Sequence, residues 1–312
     1  MTHLKFILIG VFYMCFCVNG SALARDAVVS DRAETKEVND EFKDLSFKVT
    51  QLTPKLYMLE GAGGNITASI GGDGVLLVDC DFAEMSDKLL AKLRELKGSR
   101  PRFIINTHFH YVHTGANEVF GQTATIIAAS AVRVSLTKEQ NLWKKVHPAF
   151  SHLGLPILTF DDSLELHVNG DEIKVIHFPN AHSDGDTAVI FSEAKTISTG
   201  DLFFSGMYPI FHPEHGGSLN GYVDAVARLL ALAPAGARVV PGHGPLSDRR
   251  EFQHYYEMIV ASIAVVRSEV DKGWSLEQIK KQGLPEKWES FSHGYRTTDQ
   301  WLESIYRSVK NQ

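Results

Sequence analysis

Between residues 46 and 250 the apolar positions come mostly in short alternating or continuous blocks, the spacing of β-strands. "FKVTQL", "KLYMLEG", "NITASIG" and "GVLLVDC" follow one another over residues 47 to 80, and "GGDG" (Gly71 to Gly74) joins the last two as a hairpin. The period then changes. From Met85 to Leu96, Leu89, Leu90, Leu93 and Leu96 share one helical face. "RFIINTH" and "TATIIAAS" predict two more strands, followed by a helix around residues 131 to 140. "ILTF", "LELHV", "EIKVIHF", "DTAVIFS" and "KTISTGD" open a second run of strands. A helix over Leu219 to Leu232 has Leu219, Tyr222, Val223, Val226, Leu229 and Leu230 on one side, and "ARVVPGHG" is a last strand and loop. Residues 249 to 310 predict helices, with Ser275 and Gln278 as a capping box and Thr298 as the cap of the final one.

Strands with interspersed helices therefore occur twice, which predicts two similar halves. Hairpins with helices outside them imply an α/β layered sandwich. The expected organisation is a core over residues 46–250 with a helical C-terminal extension, 251–312, packed on it.

The first residues read differently. "MTHLK" precedes 13 apolar or small residues, "FILIGVFYMCFCV", and "NGSALA" ends in an A-x-A cleavage signal. This is the pattern of a secretory signal peptide over residues 1–24, cut after Ala24. The apolar run is shorter than the ~20 residues that span a bilayer, so no stable membrane insertion is expected after cleavage. Residues 25–45 are polar and mixed in charge, and read as a loosely attached arm. The expected destination is the periplasm or the exterior.

Composition changes the picture only a little. The chain has 312 residues and a net charge of -6, which cleavage of Lys5 lowers by one. No basic patch invites nucleic acid, so the expected partner is a small-molecule substrate. Of the 3 cysteines, cleavage leaves Cys80 alone, and no intrachain disulfide can form in the mature chain. Cys80 reads as a small buried residue or as a soft metal ligand.

The chemistry is concentrated in "NTHFHYVHTG", residues 106 to 115. His108 and His110 point the same way at a strand end, so two imidazoles can reach one ion at ~2.0–2.1 Å. His113 follows closely. Further ligands sit in Gly- or Asp-rich loops after apolar runs: His182 in "PNAHSDGD", Asp201 in "STGD" and His243 in "VVPGHGP". The chain has 14 histidines, and His3, His147, His152, His167, His254 and His293 lack ligand spacing and read as ordinary residues. Asp184 and Asp186 read as shapers of the His182 loop. His212 and His215 read equally as pocket-mouth or surface residues.

"THFHYVHTGAN", "AHSDGD", "TGDLFF" and "PGHGP", in that order, resemble the metallo-β-lactamase superfamily, and "GGNITASIGGDGVLLVDC" is similar to its first hairpin. The resemblance implies an αββα sandwich of two mixed β-sheets flanked by helices, with metals at one edge. It implies a first zinc site of His108, His110 and His182, and a second of His113, Asp201 and His243, with Asp201 able to bridge. It makes Asp79 an outer carboxylate that orients the motif loop. The catalytic set it implies is His108, His110, His182, Asp201 and His243. The activity it implies is zinc-dependent hydrolysis, metal-bound hydroxide attacking an ester, thioester or lactam-type bond. Flavin-linked di-iron relatives need more carboxylates than this chain offers.

One position departs. The family motif H-x-H-x-D-H has an aspartate where this chain has Val112. Valine has no lone pair and removes a negative charge from the second site. The first site keeps all its ligands and an open position. One well-occupied zinc is therefore expected, with the second weak or absent. The alternative is a catalytically impaired or inactive zinc- or ligand-binding protein on the same fold. The loops around 61–65, 141–156 and 205–217 bring Trp143, Phe150, Phe204, Tyr208 and Phe211 as pocket or core aromatics.

Overall fold

The computed structural model describes residues 42–142 and 145–310. The expected signal peptide and Trp143 lie outside the described residues, as does all but the end of the expected 25–45 arm. Leu45–Gln312 forms one compact unit.

Two sheets face each other, each mixing antiparallel and parallel pairing. The first runs β1 (Lys48–Gln51), β2 (Leu56–Glu60), β3 (Ile66–Gly71), β4 (Gly74–Val78), β5 (Pro101–Ile105), β6 (Thr125–Ala129) and, beyond a small ribbon described below, β9 (Leu158–Phe160). β1 to β4 pair antiparallel; β4, β5, β6 and β9 pair parallel. Parallel neighbours need a crossover, and the helices α1 (Ser86–Glu95) and α4 (Ser130–Leu136) lie in two of those connections. Between them come two one-turn helices, α2 (Tyr111–Thr114) and α3 (Asn117–Phe120). The second sheet runs β10 (Ser163–Val168), β11 (Asp171–Phe178), β12 (Asp186–Phe191), β13 (Thr196–Ser198), β14 (Arg238–Val240) and β15 (Ser247–Asp248), parallel at β13–β14.

The apolar blocks decide which faces meet. Val78, Ile105 and Ile127 of the first sheet pack with Val175, Val189 and Val240 of the second in one buried cluster. The other face of the second sheet, through Ile190, Ile197 and Val239, packs against α5 (Leu219–Leu232) and α6 (Arg249–Asp271). α5 contributes Tyr222, Val226 and Leu229, and α6 contributes Phe252, Tyr255 and Ile259. Every residue of β12, "DTAVIF", is buried because helices cover one face of its sheet and strands the other. Each large side chain buried this way contributes roughly 1.5–3 kcal/mol.

The turns follow their residues. Gly71 pairs with Gly74 across a two-residue turn, and Gly74 takes φ 103°. Asn169 and Gly170 both take positive φ, 58° and 82°, in the tight turn between β10 and β11. Asn169 and Asp73 bind each other's backbone N–H groups at 2.7 and 3.1 Å, tying the two hairpins together.

Two expectations need correction. The helix expected over 131–140 ends at Leu136, because Thr137 closes it and the Gln140 amide turns back to Ser135 O. The residues that follow form a ribbon, β7 (Gln140–Leu142) with β8 (Lys145–His147). The final helices are α7 (Leu276–Gln282), capped by Ser275 and Gln278 as expected, and α8 (Thr298–Lys310). The cap of α8 is Thr297 rather than Thr298. Its hydroxyl accepts from Gln300 N at 3.3 Å while the Gln300 side chain accepts from Thr297 N at 2.9 Å. Replacing Thr297 by Ala is expected to lower stability by about 1 kcal/mol. Thr298→Ala, by comparison, removes only a long 3.4 Å contact to Tyr208. Urea unfolding of both variants checks the ranking, and a larger loss at Thr298 contradicts it.

Candidate metal centre

The sequence delivers its histidines to the strand ends at one edge of the sandwich. β5 runs directly into Asn106–His110, and α2 then turns the chain so that His113 returns toward the same point. Asn106 and Asn117 exchange side-chain amide hydrogen bonds at 2.9 and 3.1 Å, which fixes the start of this segment against α3. His182 sits between β11 and β12. Ser183 donates through N and Oγ to Asp186 at 2.8 and 2.7 Å, so Asp186 shapes the loop, as expected. Burial pushes the Asp186 carboxyl up to about 8. Asp184 acts through its backbone, with N–H to His215 O at 3.0 Å. Asp201 follows β13 after Gly200, which takes φ 51° with its α-carbon packed on Thr107. His243 follows β14.

All six sequence-predicted ligands are brought together, in two overlapping groups: His108, His110, His182 and Asp201, and His113, Asp201 and His243. His110 Nδ1 lies 2.9 Å from His108 Nε2 and 3.0 Å from His182 Nε2. Asp201 Oδ2 lies 3.6 Å from His108 Nε2 and 3.3 Å from His182 Nε2. On its other side, Asp201 Oδ1 lies 3.3 Å from His113 Nε2 and 3.4 Å from His243 Nε2. A tetrahedral ion with ~2.0–2.1 Å bonds holds its ligand atoms roughly 3.3–3.4 Å apart, so the spacing fits zinc. Asp201 Oδ1 is buried without a hydrogen-bond partner, and a side chain at Gly242 would collide with it. A buried carboxylate oxygen left in this state calls for a cation.

The electrostatics agree. Burial holds His108 and His110 well below the usual imidazole range and His182 down at about 4, so all three offer lone pairs. Burial alone would raise Asp201, but the surrounding imidazoles outweigh it and hold the carboxyl well below its ordinary range. His113 behaves oppositely. Burial would lower it, yet Asp201 and Asp79 on either side raise it to about 10. A cation at the His113 position must displace that proton.

The remaining ring nitrogens are oriented by fixed partners. His182 Nδ1 donates to Ile210 O at 2.8 Å, which leaves Nε2 free to coordinate. His113 Nδ1 lies 2.8 Å from Asp79 Oδ2. Asp79 also accepts from Thr107 N and Thr107 Oγ1, each at 2.8 Å, and Thr107 Oγ1 lies 3.1 Å from His108 Nδ1. Asp79 thus touches the start of the motif and its last histidine.

Sequence reasoning missed three residues. Asn65 donates its side-chain amide to Pro241 O and Gly244 O at 3.0 and 2.9 Å, clamping the His243 loop. Asp81 accepts from Ala62 N and Phe82 N at 3.0 and 2.7 Å, holding the loop after β2. Tyr295 places its hydroxyl 3.2 Å from His243 Nδ1. The Gly-rich "GAGGN" was a signal for the first; nothing local marks Tyr295, which arrives from far along the chain.

The other assignments fall into place around the centre. Cys80 is buried, its thiol pushed well up by burial and directed to Asn117 Oδ1 at 3.2 Å, so it is a packing residue. His212 lies against the ligand rings, 4.9 Å from His110 and 5.3 Å from His182 between centroids, with Nδ1 3.0 Å from Glu214 Oε1. His215 lies 4.9 Å from the Phe109 ring. His147 is buried and stacks on Tyr111 at 4.5 Å. Phe204 lines the cleft over the centre, Tyr208 is buried with its hydroxyl on Trp288 O, and Phe211 is in the core. Val112 also lines that cleft. A larger cleft, about 670 Å³, lies on α6 around Val260 and Arg267 and holds none of these ligands. Asp79→Asn is expected to weaken zinc binding at the His113 position about 10–100-fold. Calorimetric zinc titration measures it, and an unchanged affinity contradicts the orienting role.

Comparison with known proteins agrees with this geometry. The description "Metallo-beta-lactamase superfamily" matches residues 60–243. The chain is 27% identical over 203 residues to 2,4-dinitroanisole O-demethylase subunit alpha of Nocardioides sp. (strain JS1661), covering 64% of this chain and 58% of that protein. It is 23% identical over 280 residues to the linear primary-alkylsulfatase of Pseudomonas sp. (strain ATCC 19151), covering 77% and 52%. The chain thus spans a little over half the length of the curated relatives it matches. Among solved structures, the metallo-beta-lactamase from Pontibacter korlensis superposes with a TM-score of 0.58 at 18% identity, over 69% of this chain and 99% of that one. A stereoselective inverting sec-alkylsulfatase from Pseudomonas sp. gives 0.67 at 16%, over 84% and 50%. With the family description matching more than half of its length, and the two-sheet architecture shared with those structures, this chain belongs to the metallo-beta-lactamase superfamily.

Proposed function

We propose that the protein is an exported zinc-dependent hydrolase acting on an ester, thioester or lactam-type bond of a small molecule. The observation that carries this reading is the convergence of His108 Nε2, His110 Nδ1 and His182 Nε2 within 2.9–3.0 Å contacts beside Asp201. Three neutral imidazoles are the donor set of a catalytic zinc with an open position. Bound there, zinc would supply Lewis acidity and activate a water for attack near neutral pH. Relatives named as an alkylsulfatase and an acyl-coenzyme A thioesterase support hydrolysis of small molecules.

The chain's own residues then have defined tasks. His108, His110 and His182 would hold the ion, and Ile210 O keeps His182 in the coordinating tautomer. Asp201, ionised through the neighbouring imidazoles, accepts a hydrogen bond from the attacking water and orients it. His113 and His243, with Asp201, would hold a second ion. That position is weaker on two counts: Val112 contributes no ligand, and the proton on His113 competes. Apolar side chains, among them Phe82, Val112, Phe204 and Ile210, wall the cleft beside the reacting centre.

Val112 also favours a second reading, a zinc-binding protein with little or no turnover. Purified protein is expected to hold about one zinc per chain. Val112→Asp is expected to raise this toward about two and to raise kcat/KM roughly 10–100-fold. Metal analysis with ester and lactam panels checks both, and absence of turnover in either form selects the binding reading. Export predicts a mature chain that begins at Arg25, which N-terminal sequencing of the secreted protein detects; an intact Met1 refutes it.

A further inference from the structure

We infer that the cleft over the metal centre selects substrates whose group flanking the scissile bond is compact, apolar and uncharged, and that Val112 sets this preference. The inference rests on the hydrolase reading above and deepens it. The cleft encloses about 310 Å³, at the small end for ligand sites. Besides His182, Asp201 and His243 of the centre, its lining is Ala62, Phe82, Val112, Phe204, Ile210 and Tyr295. Among the described lining residues there is no lysine or arginine. Arg296, next to Tyr295 in sequence, directs Nη1 to Ser304 Oγ at 2.7 Å.

A charged flanking group seated against these walls, away from the ion, would lack a partner, and a desolvated unpaired charge is strongly disfavoured. An aspartate at 112 would put a carboxylate into this wall. Valine instead makes it continuous with Phe82 and Ala62. The substitution that weakens the second ion position therefore builds an apolar surface in its place.

Among the described lining residues outside the centre, the one polar side chain is Tyr295. Its oxygen lies 3.2 Å from His243 Nδ1, and with His243 facing Asp201 through Nε2–H the phenolic hydrogen goes to Nδ1, leaving the Tyr295 oxygen to accept from a substrate. Outside the centre, the described lining side chains therefore offer apolar walls and one neutral oxygen, the pattern of a site for an uncharged ligand.

The test uses the zinc-loaded full chain and two esters with one leaving group, 4-nitrophenyl butyrate and 4-nitrophenyl hemisuccinate. The butyrate is expected to be preferred in kcat/KM by about tenfold or more. Val112→Lys is expected to collapse that ratio, chiefly by lowering KM for the hemisuccinate. An independent readout is calorimetric titration of the full chain with butyranilide, which Val112→Lys is expected to weaken by about tenfold. Val112→Thr keeps the shape, adds a hydroxyl, and is expected to weaken butyranilide by about threefold, which keeps the test decisive if the lysine variant does not fold. Equal kcat/KM for the two esters, or butyranilide affinity unchanged by substitution at Val112, overturns the inference. Val112-dependent butyranilide binding without turnover of either ester supports the selection while refuting the hydrolase reading.

Discussion

A single buried carboxylate with imidazole nitrogens on both sides is the constraint around which this structure is arranged. Asp201 Oδ2 faces His108 and His182, and Oδ1 faces His113 and His243. Burial strips these groups of water, so the carboxylate stays ionised only because of its neighbours, and the neighbours stay close only because the strand ends hold them. Such a cluster is stable when a cation satisfies its lone pairs. The hydrogen bonds that fix it, from Asp79, Thr107, Asn65 and the Ile210 carbonyl, come from loops on both sheets.

That dependence explains why the two sheets change pairing where they do. The parallel strands β5, β13 and β14 all end at the same edge, and each releases its chain into a loop that carries a ligand. Ligands at the carboxyl ends of parallel strands are a general consequence of open α/β topology. Here it brings residues 108 and 243, far apart along the chain, to opposite faces of one carboxylate. Val112 then decides how the mouth of the centre is used: its side chain joins Phe82 and Phe204 in the cleft lining, while its carbonyl accepts from Gly64 N at 3.1 Å to hold the loop after β2.

Much of this was legible in the sequence, because the signals are local. H-x-H-x-x-H after a buried strand, and His or Asp in Gly-rich loops after apolar runs, each combine a period with a residue type. The strands, the α5 face and the Ser275–Gln278 capping box follow from the same short-range patterns. What escaped depends on tertiary approach. Tyr295 reaches His243 only through the packing of the C-terminal helices, and Asn65 matters because of two carbonyls more than 170 residues away. Thr297 rather than Thr298 caps α8 because the reciprocal bond goes to Gln300, a one-residue difference that adjacent threonines hide. The β7–β8 ribbon escaped because a helical pattern around 131–140 continued past the point where Thr137 and Gln140 close it.

Anomalous diffraction from crystals soaked in zinc tests the central claim most directly. The account predicts a strong peak at ~2.0–2.1 Å from His108 Nε2, His110 Nδ1 and His182 Nε2, and a weaker one or none beside His113 and His243. Zinc bound only elsewhere, with those three nitrogens left out of its coordination, would contradict it.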